Sequence, residues 1–131
     1  MIIDESKKTI TINKDIRYND CLALEKFYQG YIVNVNGNVD INGQGQNLKQ
    51  LPKILFNEIS GYFKCSFNQL ISLEYCPKKI GSSFYCSNNQ LTSLKYCPRE
   101  VGDDFYCYDN LGEFTKEDVE EYCKVEKEIY C

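Results

Sequence analysis

A 21-residue period constrains what this chain can fold into more than any other feature. The stretch FKCSFNQLISLEYCP runs from Phe63 to Pro77, and FYCSNNQLTSLKYCP runs from Phe84 to Pro98, each position 21 residues after its counterpart. Phe63, Phe84 and Phe105 fall in register, as do Ile59, Ile80 and Val101, then Cys65, Cys86 and Cys107, then Asn68, Asn89 and Asn110. Leu70 matches Leu91, and Leu73 matches Leu94 and, less closely, Phe114. A period of this length marks one supersecondary unit stacked on copies of itself. An earlier, degenerate unit, VNGNVDINGQGQNLKQLP, puts Val39, Ile41, Leu48, Leu51 and Pro52 in the same slots, with an insertion in GQGQN. The last copy decays at YDNLGEF, so about four units extend from Val35 to Phe114.

Within a unit, Phe-x-Cys alternates apolar and outward positions, which predicts a short half-buried strand. The asparagine that follows suits the point where the chain leaves the strand, because its amide can satisfy backbone groups that have no ladder partner. Leu-x-x-Leu and Cys-Pro then turn the chain back along the far side, where the fixed φ of proline is acceptable. Each unit buries its apolar slots only against its neighbours.

The eight cysteines read as part of this pattern. Cys65, Cys86 and Cys107, together with Cys76 and Cys97, occupy equivalent slots as small apolar core thiols. There is no C-x-x-C and no histidine, which removes most zinc patterns and leaves no thiol an imidazole base. Cys21, Cys123 and Cys131 lie outside the repeat, with Cys131 expected at the surface. The first residues, MIIDESKKTITIN, lack a basic start followed by an apolar run, so thiols in a cytoplasmic protein are expected.

F-x-C-S-x-N-Q-L-x-S-L with a proline-marked return resembles a leucine-rich repeat, and SNNQLTSL is similar to the short repeats of bacterial effectors and of phage and viral proteins. The resemblance is carried by Asn68, Asn89, Leu70, Leu91, Leu73 and Leu94, with Phe and Cys where leucine usually stands. It implies a single α/β-type solenoid over residues 1–131, with parallel strands on a concave face. Residues 1–34 would form an N-terminal cap of a MIID/TITIN hairpin and a helix N-capped by Asn19, residues 35–114 the repeats. Residues 115–131 would form a C-terminal capping helix opened by a Thr115–Asp118 box, with Val119, Tyr122, Cys123, Val125 and Tyr130 on its apolar side.

On that fold the outward strand positions are Asn38, Asp40 and Asn42, then Tyr62, Lys64 and Ser66, then Ser83, Tyr85 and Ser87, then Asp104, Tyr106 and Tyr108. Tyr62, Lys64, Tyr85, Asp104, Tyr106 and Tyr108 form the candidate protein-binding surface, because tyrosine gives large contact area at low entropic cost. A tyrosine ladder that merely stabilises a sheet is the competing reading.

The net charge is −4, and the segment from Glu113 to Glu128, with seven acidic residues against three lysines, carries the whole excess. Glu117, Asp118, Glu120 and Glu121 form either a solvated helix face or an acidic docking surface for a basic partner. Without a basic stripe, direct nucleic-acid binding is not expected. No apolar run approaches the ~18 residues of a membrane span.

No phosphate loop or nucleophile elbow is present, so the chain reads as a non-enzymatic binding module without cofactor or metal. The resemblance and small acidic character extend this to a phage- or virus-encoded inhibitor of a host or defence enzyme, of the anti-CRISPR kind, acting by surface occlusion. Two alternatives stand beside it. One is a self-associating homodimer; the other is a ligand-binding protein or metal-dependent enzyme using the carboxylates of Asp40, Asp103, Asp104 and Asp109.

Overall fold

The computed structural model describes residues 1–131 and divides its strands into two sheets that the chain visits alternately after an opening hairpin. The first sheet contains β1 (Ile2–Asp4), β2 (Thr9–Ile12), β4 (Ile32–Val35), β6 (Leu55–Ile59), β8 (Lys79–Ile80), β10 (Glu100–Val101) and β12 (Lys124–Val125), in that order. The second contains β3 (Ile16–Arg17), β5 (Val39–Asp40), β7 (Phe63–Lys64), β9 (Phe84–Tyr85), β11 (Phe105–Tyr106) and β13 (Ile129–Tyr130), likewise in chain order. Every pairing is parallel except the β1–β2 hairpin. A unit is therefore a first-sheet strand, a tight corner, a second-sheet strand and a longer arc back.

The repeat dictates this arrangement through registry. Alternate side chains of a strand point to opposite faces, so residues one period apart stack in a single row. Val35, Ile59, Ile80, Val101 and Val125 form the inward row of the first sheet, and Ile16, Val39, Phe63, Phe84, Phe105 and Ile129 that of the second. Phe63, Phe84 and Phe105 have no exposed surface, and their ring centroids lie 6.3 and 5.0 Å apart. Burying one such ring is worth roughly 2–3 kcal/mol, a gain each unit obtains only because its neighbours are present.

The corners pack too tightly for side chains. A Cβ on Gly102 would run into the carbonyl of Gly81, and one on Gly61 into the side chain of Asn38. Glycine recurs there because backbone lies directly against backbone.

Two long connections carry helices. Helix α1 (Tyr18–Phe27) fills the arc between β3 and β4, burying Cys21 and Leu24; its Glu25 carboxylate accepts the Lys53 N–H of the next arc at 2.6 Å. Its N-cap is Arg17 rather than Asn19, because the Asp20 carboxylate accepts the Arg17 N–H at 2.9 Å and closes the first turn there. Helix α2 (Lys116–Glu120) opens with the expected box: the Thr115 N–H donates to the Asp118 carboxylate and the Asp118 N–H to the Thr115 hydroxyl.

Beyond α2 the structure corrects the capping helix expected over 115–131. The segment KVEKEIY forms β12 and β13 instead. The open backbone groups of β10 and β11 decide this: the Lys124 N–H donates to the Arg99 carbonyl at 2.8 Å and the Phe105 N–H to the Glu128 carbonyl at 2.9 Å. The β-branched Val125 and Ile129 favour the extended form. The sheets thus extend past residues 35–114 in both directions. No helix is long and apolar enough to cross a membrane.

Candidate functional site

The outward row of the second sheet is Arg17, Asp40, Lys64, Tyr85, Tyr106 and Tyr130, one residue per strand. Parallel strands about 4.8 Å apart set the spacing of these side chains. The rings accept it: Tyr85 and Tyr106 stack with centroids 4.6 Å apart and planes 4° from parallel, and Tyr106 and Tyr130 at 4.9 Å and 13°. Tyr62 meets Tyr85 edge-to-face at 6.4 Å, and Tyr108 meets Tyr106 the same way at 6.4 Å. The Lys64 ammonium lies 4.5 Å from the Tyr62 ring centre and 5.3 Å from that of Tyr85, a cation–π clamp where the tyrosines of the row begin.

The structure therefore brings Tyr62, Lys64, Tyr85, Tyr106 and Tyr108 into one continuous patch. Tyr130 completes it. A helix over residues 115–131 would keep that residue out of the row, yet KVEKEIY aligns with EVGDDFY and KIGSSFY, each with an apolar residue four positions before the next. That alignment is the signal that places Tyr130 after Tyr85 and Tyr106.

Asp104 has a more structural part than the sequence suggests. Its carboxylate accepts the Glu128 N–H at 2.9 Å, its own N–H donates to the Ser83 hydroxyl at 3.1 Å, and the Tyr106 hydroxyl lies 3.4 Å from its other oxygen. Burial, then the Asp104 carboxylate and the flanking Tyr85 and Tyr130, hold the Tyr106 phenol above its ordinary range. Ser66, Ser83 and Ser87, expected on the surface, are buried. They stand where the chain bends into or out of the strand, and small side chains there fold back against the backbone. Ser66 gives its N–H to the Asn42 amide oxygen, while the Ser87 hydroxyl has no partner.

Beneath the row, an asparagine series holds the strand exits. The Asn89 amide donates to the carbonyls of Cys65, Cys86 and Ser87 and accepts the Leu70 N–H; Asn68 and Asn110 repeat the arrangement one unit away on either side. A platform fixed in this way holds the tyrosine rings at constant spacing.

The thiols belong to the interior. Cys65 and Cys86 donate to the carbonyls of Tyr85 and Tyr106 at 3.3 Å, and Cys21, Cys97 and Cys123 are also buried while Cys76 is half-buried. Burial raises the Cys21, Cys97 and Cys123 thiols to about 12, helped at Cys21 by Asp20 and Glu25, at Cys97 by Cys123 and at Cys123 by Glu100. Such thiols are poor nucleophiles. Cys107 departs from the expected free-thiol column: it forms a disulfide with Cys131. The Tyr106–Tyr130 register sets Cys131 beside it, with Cα atoms 4.7 Å apart, one strand spacing and within disulfide reach.

The carboxylates do not converge. Asp40 accepts the Asn42 N–H, Asp103 pairs with Lys127 at 3.0 Å, and no three His, Cys, Asp or Glu side chains form a metal-holding group. Of the proposed acidic docking residues, Asp118 is used in the α2 box, whereas Glu117, Glu120 and Glu121 are exposed. No protein-family model, curated protein or solved structure matches this chain.

Proposed function

We propose that the chain is a short solenoid of the leucine-rich-repeat type that binds another protein through its tyrosine row and catalyses no reaction. The observation that carries this reading is the ordered run Lys64–Tyr85–Tyr106–Tyr130, with Tyr62 and Tyr108 beside it, on neighbouring strands of one parallel sheet. Stacked rings fixed by the sheet lose little entropy on contact, and their hydroxyls give a partner a line of hydrogen-bonding groups. The 21-residue spacing and the asparagine series support the solenoid reading. Small size and the resemblance of SNNQLTSL to phage and viral repeats support the narrower one, an occluding inhibitor of a host or defence enzyme in the cytoplasm, acting as anti-CRISPR proteins do.

Affinity capture with the wild type and with Tyr85→Ser/Tyr106→Ser/Tyr130→Ser tests this, with circular dichroism confirming that both fold. A partner retained by the wild type and lost by the triple variant supports the tyrosine row. The same partner held by both moves binding to another face. No partner with either overturns the binding reading.

A further inference from the structure

At the β1–β3 end the inward residues Ile12 of β2 and Ile16 of β3 are almost wholly buried, although Ile2 and Ile3 of the terminal strand β1 are exposed. At the other end, Val125 and Ile129 occupy the same inward rows as Val101 and Phe105, which have no exposed surface, yet both remain half-buried. β12 and β13 are the last strands of their sheets, so each has a hydrogen-bonded neighbour on one side only. Because Lys124 and Glu126 give their N–H groups to Arg99 and Val101, the Val125 N–H between them points away from the sheet. Between the two edges lies a cleft of about 540 Å³ whose walls include Val125, Ile129 and Cys123.

The rim of this cleft decides what fits it. It carries both signs together: Lys116, Lys124 and Lys127 alongside Glu120 and Glu121. A uniformly basic or acidic partner would meet like charge over half of such a rim. A surface with both signs can match itself when turned about a two-fold axis, the self-complementary contact on which most homodimers are built. We propose that the β12/β13 end pairs with the same end of a second copy of this chain. The half-buried Val125 and Ile129 then become core, and the outward backbone groups of the terminal strands find partners across the two-fold axis. The tyrosine rows lie on a lateral face of each copy, so the pairing doubles the binding surface proposed above without covering its centre.

Mass measurement by light scattering across a hundredfold concentration range tests this, with and without reductant because of the Cys107–Cys131 link. The expected result is a monomer–dimer equilibrium that stops at two. Val125→Pro removes an outward N–H and no internal hydrogen bond, a change an edge strand tolerates, and shifts the dimer at least tenfold toward higher concentration. Should that variant not fold, Lys116→Glu/Lys124→Glu, at two exposed positions of the rim, produces the same shift by making the rim acidic. A monomer at every concentration overturns the proposal. Growth into open-ended chains overturns it in favour of head-to-tail contact, and a dimer unaffected by either variant places the interface elsewhere. Tyr85→Ser/Tyr106→Ser leaves the mass unchanged, so failure of this proposal is separable from failure of the binding reading.

Discussion

The side-chain amide of Asn89 donates to the backbone carbonyl of Cys65, one strand away in the second sheet, at 3.1 Å. The same amide reaches the carbonyls of Cys86 and Ser87 in its own unit, and its oxygen accepts the Leu70 N–H at 3.0 Å. One buried side chain thus ties two units together where neither has a ladder partner.

Asn89→Leu keeps the branched shape and removes every one of these bonds. Buried carbonyls and an N–H left without partners cost on the order of 1–3 kcal/mol each, not fully additive, so a total loss of about 3 kcal/mol is expected. Urea unfolding followed by circular dichroism measures it. Asn110→Leu, in a more exposed setting with the same bond pattern, loses less. Equal losses at the two positions would show that burial does not set the cost.

Phe67 has φ 57°, the left-handed region, with its ring 60 % exposed. Its counterparts Asn88 and Asp109 have φ 58° and 55°, and these are residue types that tolerate that conformation. The backbone geometry is set by the unit and the phenylalanine is strained within it. Phe67→Asn therefore stabilises the fold by about 1 kcal/mol, seen as a rise of a few degrees in the thermal midpoint. A drop would mean that the exposed ring makes contacts worth more than the strain.

The sequence made one row of each sheet legible and left the other relationships to geometry. Phe63, Phe84 and Phe105 announce a strand because Phe-x-Cys alternates at period two. Ile59, Ile80 and Val101 keep the same 21-residue register, but each stands in a two- or five-residue strand among charged neighbours, too short for alternation to show a second sheet. The last unit was hidden by coincidence. Val119, Tyr122 and Cys123 lie at helical spacing, and the insertion that carries α2 lengthens the local offset from 21 to 24 residues, as the pairing of Val101 with Val125 shows. Tyr130 and the Cys107–Cys131 disulfide are concealed with it, because both depend on register alone. Ser66, Ser83 and Ser87 are buried for a related reason, since strict alternation ceases where two-residue strands give way to corners.

The buried thiols make the stability of the fold fall at alkaline pH. Cys21, Cys97 and Cys123 are raised to about 12, and burial likewise pushes Cys65, Cys76 and Cys86 upward. In the unfolded chain a thiol ionises near about 8.5. Between that pH and about 12 the folded protein keeps protons that the unfolded chain has released, so stability falls as pH rises. Below about 8.5 the contribution is complete and flat. Each such thiol removes up to about 1.4 kcal/mol per pH unit within the window. Urea midpoints at pH 7, 8, 9 and 10 should therefore be level at first and then drop with steepening slope, while iodoacetamide at pH 8 labels Cys21, Cys65, Cys86, Cys97 and Cys123 only after urea unfolds the chain. Level midpoints through pH 10, or rapid labelling of Cys97 in the folded protein, would show that the interior opens to solvent and that the thiols are not held in the core.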